Sequence, residues 1–196
     1  TVLDLIEDEI AHAEAGRPAA IWAKLNSLVD TQAIDALYAA SQSGVQIDLV
    51  IRGVCCLRPG VVGVSENIRV RSIIGRFLEH SRIYYFENGG EPEIFCGSAD
   101  LMERNLSRRV EILFPVLNPA QREHIKTIVL DQELADNTLA FQLQEDGTFL
   151  RKTSTGGSIP LDSQHKLLQW YAEQYRSEEK LGGKDVAQAS KAGMPT

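Results

Sequence analysis

The chain of 196 residues is 43% apolar and 24% charged, the balance of one globular domain with its own core and short for two. That excludes fibrous, collagen-like and wholly disordered classes, and a net charge of −7 argues against a general nucleic-acid binder. The longest uncharged run, 36–47, holds 12 residues where a membrane-spanning helix needs about 20, so no transmembrane segment is expected.

Residue 1 is Thr rather than Met, and no basic stretch leads there into a short apolar run. The expectation is a chain without a signal peptide, cut or processed from a longer protein. Residues 2–14 place Val2, Leu5, Ile6, Ile10 and Ala13 on one helical face, with acids in the first turns at the positive end of the dipole. Gly16 and Pro18 stop that helix. Residues 19–25 read as a strand. Asp30 or Thr31 caps a second helix to about Ser43, with Ile34, Leu37 and Tyr38 inward and Gly44 ending it. Residues 45–51 form a buried strand. Strand, helix, strand is a βαβ unit, which points to an α/β fold with a mixed, mostly parallel sheet.

Residues 53–67 read as a long loop and 68–74 as an alternating strand. Residues 82–86 and 93–96 flank N-G-G and predict a hairpin. A strand is expected over 108–114 and a helix over 118–135, with Pro119 in its first turn. In 136–160 the D-G pair and T-S-T-G-G suggest a short hairpin and a mobile loop. Residues 162–176 read as an amphipathic helix carrying Leu167, Leu168, Trp170 and Tyr171. Residues 1–176 are thus one domain, and 177–196 a frayed polar tail.

Charge is uneven. Residues 1–51 carry −6, 52–109 carry +2 and 110–196 carry −3. All nine bases of the middle segment are arginines: Arg52, Arg58, Arg69, Arg71, Arg76, Arg82, Arg104, Arg108 and Arg109. The guanidinium fork matches phosphate oxygens two at a time, so the pattern suggests a phosphate or carboxylate site. The competing reading pairs these arginines with Glu66, Glu79, Glu87 and Glu103 on the surface. Cys55, Cys56 and Cys96 contain no C-x-x-C pair. They read as reduced, partly buried thiols of a cytoplasmic protein, with no zinc or other metal site.

His12, His124 and His165 sit on predicted helices and read as surface or boundary residues. His80 differs, because Arg82 follows two places later. In extended chain, residues i and i+2 face the same way, so imidazole and guanidinium project together. Such a pair suits phosphoryl chemistry: the cation holds charge while the imidazole attacks phosphorus or moves a proton. Glu87 follows, then Gly97-Ser98-Ala99-Asp100 directly after a strand, where small residues let backbone N–H groups and the Ser98 hydroxyl approach a phosphate. Arg52 ends a strand at the edge where ligands of open α/β sheets collect. Its bland alternative is a pair with Asp48 or Asp100.

H-x-R-x4-E followed by G-S-x-D resembles the H-x-K-x4-D…G-S-x-N signature of the phospholipase D superfamily, with Arg for Lys and Glu for Asp. Longer blocks, LVIRGVCCLRPG, SENIRVRSIIGRFLEHSRIYYFENGG and GSADLMERN, resemble the C-terminal catalytic region of bacterial polyphosphate kinases over roughly residues 1–130. The resemblance implies a phospholipase D-like fold and the last catalytic domain of a longer enzyme. That enzyme transfers the terminal phosphate of ATP reversibly to polyphosphate, through a phosphohistidine in a preceding domain. It implies that Arg52 and His80 contact ATP; from the residues themselves, Arg82 and Ser98 are expected near the phosphates and His80 as the catalytic group. It implies Mg²⁺ held by the preceding domain, ATP, ADP and polyphosphate as partners, and a homo-oligomer that is cytoplasmic or membrane-associated through the longer protein. Two alternatives stand: half of a phospholipase D-like phosphodiesterase or nuclease, and a non-catalytic phosphate-binding or assembly domain.

Overall fold

The computed structural model describes residues 1–153 and 159–176. The polar tail and most of the T-S-T-G-G loop lie outside the described residues. The elements run α1 (Val2–Glu14), β1 (Ala20–Leu25), α2 (Thr31–Gln42), β2 (Gln46–Ile51), β3 (Ile68–Ile73), β4 (Arg82–Phe86) and β5 (Glu93–Gly97). Then come α3 (Glu103–Ser107), β6 (Leu113–Pro115), α4 (Pro119–His124), a π-helical segment (Ile125–Leu130), α5 (Asp131–Ala135), β7 (Ala140–Leu143) and β8 (Phe149–Arg151). A last helix, α6, covers residues 163–176.

Local chemistry fixes the first elements where the pattern predicts them. Asp30 caps α2 by accepting the Ala33 N–H at 3.0 Å. Ile6 of α1 and Ile34 and Leu37 of α2 enter one core with Ile21, Leu25, Ile47, Leu49 and Tyr84. A second, smaller core lies on the other face of the sheet. There Ile83, Tyr85 and Ile94 meet Leu130 of the π-helical segment, with Trp22 stacked on Tyr85 at 4.6 Å.

All eight strands form one sheet, ordered β6-β5-β4-β1-β2-β3-β7-β8. It is mostly antiparallel, which corrects the mostly parallel sheet expected. Only β1–β2 and β2–β3 run parallel; the other five pairings are antiparallel. The physical reason is the connections. A crossover helix supports a parallel step, whereas tight turns force strands to reverse. The β4–β5 and β7–β8 hairpins are of the second kind, and Gly147 at φ 87° makes the latter turn.

Two further expectations change. The strand expected over 108–114 shrinks to Leu113–Pro115, because its partner β5 ends at Gly97 and leaves 108–112 with no strand to pair. Along α6, Leu168 and Tyr171 are half exposed, and the buried residues are Ser163 and Gln164. Helix α3 lies where no helix is predicted.

Candidate functional site

One end of the sheet collects the candidate residues. Because β4 runs against β1 and β5 against β4, the start of β4 and the ends of β1 and β5 share that edge. Register places Arg82 opposite Gly97, and Gly97 opposite Leu113. Asn26 follows the last residue of β1 and Arg52 the last residue of β2. A cleft of about 640 Å³ opens there, lined by Asn26, His80, Arg82, Gly97, Ser98, Asp100, Arg104, Asn105, Arg109, Val110 and Glu111.

Asp100 is the anchor of this edge. Its carboxylate accepts the Asn26 and Ser27 N–H groups at 2.7 and 3.1 Å, and Arg82 Nε and Nη2 at 3.2 and 2.8 Å. Burial pushes the Asp100 carboxyl up, but the bonds from Arg82, Asn26 and Ser27 outweigh it and hold it below its ordinary range. Arg82 also donates to the His80 carbonyl at 2.7 Å. Most of its fork is therefore committed to holding Asp100 and the His80 backbone. The His80 side chain stays exposed in the cleft.

Arg52 stands beside the cleft rather than on its wall. It pairs with neither Asp48 nor Asp100. Its Nε and Nη2 donate to the side-chain oxygen of Asn26, the former at 2.8 Å. Asp48 instead holds Arg69 at 2.7 Å and Arg71 at 3.5 Å, which removes both arginines from the cleft. Glu87, part of the recognised spacing, sits at the far end of β4 and accepts the Tyr85 hydroxyl at 2.6 Å. A strand of this length separates its ends by about 15 Å, so Glu87 does not join the site.

Ser98 lines the cleft with its polar groups already engaged. Its N–H donates to the Ile112 carbonyl at 3.0 Å, and its hydroxyl donates to Glu111 and accepts the Ile112 N–H at 3.1 Å. Gly97 permits this closeness: a Cβ there would lie 2.4 Å from the Ile112 carbonyl oxygen. Sequence reasoning missed Glu111 and Asn105 as cleft residues, and named Arg104 and Arg109 only as members of the arginine-rich segment. Glu111 accepts from Ser98 and from Asn105 at 2.5 Å, and these bonds hold its carboxyl below the ordinary range. Arg109 lies 3.8 Å from Glu111, and the Arg104 guanidinium makes no hydrogen bond or ion pair among the described residues. The run of arginines after G-S-x-D was the signal that could have found them. Asn26 was also legible, as the polar residue ending a strand.

The residues do not fit a magnesium site. Among the described residues no three His, Cys, Asp or Glu side chains gather to hold a metal ion. Asp100 and Glu111 both turn their oxygens to donors of the protein itself. What the cleft offers a ligand is donors: the His80 imidazole, the Arg104 guanidinium and that of Arg109, 3.8 Å from Glu111, with Arg52 alongside. That set can take a chain of phosphate oxygens.

The model of the family described as polyphosphate kinase C-terminal domain 2 matches residues 1–164. A polyphosphate kinase of Xylella fastidiosa is 55% identical over 168 residues, which is 86% of this chain and 24% of that protein. One of Synechocystis is 61% identical over 148 residues, 76% of this chain and 20% of that protein. The chain spans about a quarter of the length of the curated relatives it matches. The crystal structure of polyphosphate kinase from Porphyromonas gingivalis superposes with a TM-score of 0.84 at 38% identity, over 89% of this chain and 26% of that one.

Proposed function

The chain belongs to the polyphosphate kinase family as its C-terminal domain, and from that premise we propose that it supplies one wall of the site moving the terminal phosphate of ATP reversibly onto inorganic polyphosphate. The observation that carries this reading is the single row at the sheet end, Asn26, Arg82, His80 and Asp100, with Arg104 and Arg109 turned to the same cleft. Phosphoryl transfer needs little covalent help from the protein beyond positioning and charge neutralisation, which such a row provides. His80 acts beside the transferring phosphoryl group as a proton or hydrogen-bond donor, and the preceding domain carries the covalent phosphohistidine. Arg52 holds phosphate oxygens together with Arg104 and Arg109. Arg82 contributes chiefly by fixing Asp100 and the His80 carbonyl. Mg²⁺ is held outside this chain; bound to phosphates, it would neutralise their charge.

ATP, ADP, polyphosphate and the preceding domains are the partners of this reading, within a homo-oligomer in the cytoplasm. No helix among the described residues is long and apolar enough to cross a membrane. The test is turnover. In the full-length protein, His80→Gln abolishes polyphosphate synthesis from ATP, while the fold measured by circular dichroism is unchanged. Full turnover in that variant removes His80 from the mechanism. Hydrolysis of a simple phosphodiester by the wild type, with no transfer from ATP, would favour a phosphodiesterase instead.

A further inference from the structure

Behind His80 lies a buried polar cluster that the reading above does not use. The Lys24 ammonium, 4% exposed, donates to Glu79 at 2.5 Å and to Glu133 of α5. The side-chain amide of Gln164, at the start of α6, reaches the same group. Its nitrogen donates to Glu79 at 2.6 Å and to the Phe77 carbonyl at 2.9 Å, and its oxygen accepts the Phe77 N–H at 2.9 Å. Gly75 makes room for it: a Cβ there would lie 2.4 Å from the Gln164 amide oxygen.

The cluster carries surplus charge. One ammonium faces two carboxylates, and Glu133 Oε2 is buried with no partner among the described residues. Well-packed apolar side chains commonly stabilise a core as well or better than such a group. Its arrangement has another logic, found in what it grips. Residues 75–81 belong to no helix or strand, and 74–78 are exposed. Five hydrogen bonds tie 75–81 to the rest of the described residues. Three come through Gln164, one comes from Lys24, and one runs from Arg82 to the His80 carbonyl. The segment is held from behind at Phe77 and Glu79 and from the front at the His80 carbonyl, while the His80 imidazole stays exposed.

We propose that Lys24, Glu79, Glu133 and Gln164 form a buried positioning site that fixes the backbone next to His80 and so sets where its imidazole meets phosphate. Gln164 is a positioning residue, remote from the substrate and acting through Phe77 and Glu79. The inference rests on His80 facing phosphate, as read above. Misplacing a reacting group by about 1 Å can lower turnover by roughly 100-fold while substrate binding is largely kept.

The experiment uses full-length protein carrying Gln164→Ala and, separately, Gly75→Ala, which drives a methyl into the Gln164 amide. ATP-dependent polyphosphate synthesis gives kcat and KM, and hydrogen exchange followed by mass spectrometry reads each segment. The expected result is kcat lowered about 10- to 100-fold, KM for ATP within about threefold, and faster exchange confined to 75–81. Unchanged kcat with a freed segment overturns the proposal. So does faster exchange across the whole sheet with kcat reduced only by the unfolded fraction. If wild-type protein shows no transfer from ATP, the functional reading fails instead. The exchange arm then still decides the cluster, and an unaltered 75–81 in Gln164→Ala overturns it.

Discussion

Asp100 and Glu133 are both buried carboxylates, and their partners send them in opposite directions. Asp100 has two backbone N–H groups and a two-pronged Arg82, enough to outweigh burial and keep it ionised. Glu133 has one ammonium, shared with Glu79, and burial pushes its carboxyl up to about 7 against the pull of Lys24. The linkage follows in sign. An acid raised in the folded state binds its proton more tightly folded than unfolded, so stability falls as pH rises from about 4.5 to about 7, then levels. Asp100 acts in a lower window, losing its contribution only as pH falls below its ordinary value of 3.8. Urea denaturation of the chain between pH 5 and 7.5 should therefore show declining stability, and Glu133→Gln should make that decline shallower. It should not remove it, because burial raises Glu9 as well. An unchanged slope in the variant would show that Glu133 is ionised throughout.

At the scale of elements, the edge of the sheet depends on close approach more than on side-chain chemistry. Ser98 was read from sequence as a phosphate donor because small residues follow a strand. In the fold the small residue serves another strand: Gly97 lets the Ile112 carbonyl come near, and Ser98 then bonds Glu111 and Ile112. Gly97→Ala should push β6 off β5, lower stability by about 1–3 kcal/mol and unseat Glu111. Thermal denaturation checks the first effect, and a stability equal to wild type would mean the two backbones can part without loss. The hairpin of β4 and β5, the Asp30 cap and the position of β3 were legible because each depends on neighbours in sequence, although β3 is buried at all but Arg69 rather than alternating. Helix α3 was not legible. It has five residues and no side-chain cap, and its place depends on the strand ends it bridges.

For the whole molecule, sequence spacing picked out residues that the fold brings together better than it picked out their partners. His80, Arg82, Ser98 and Asp100 meet in one cleft, with Arg52 at the next strand end. Glu87 belongs to the same spacing yet lies at the other end of β4, because a run of five strand residues carries the chain across the sheet. Strand direction was the larger miss. Alternation of apolar residues marks a strand without marking which way it runs, and only the connections and pairings decide that. The antiparallel order matters to the proposed function. It brings the start of β4 beside the ends of β1 and β5, so His80 and Asp100 face each other across one strand end.

The central claim is that this strand-end cleft, with Arg52 beside it, receives the phosphates of ATP and polyphosphate. Calorimetric titration of the full-length protein with each ligand in the presence of Mg²⁺, for wild type and for Arg52→Ala combined with His80→Ala, tests it most directly. The expected result is binding by the wild type and a loss of at least about tenfold in affinity in the double variant, the scale of one or two charged hydrogen bonds. Equal affinity in the two proteins, with the variant folded, would place the phosphates elsewhere and contradict it.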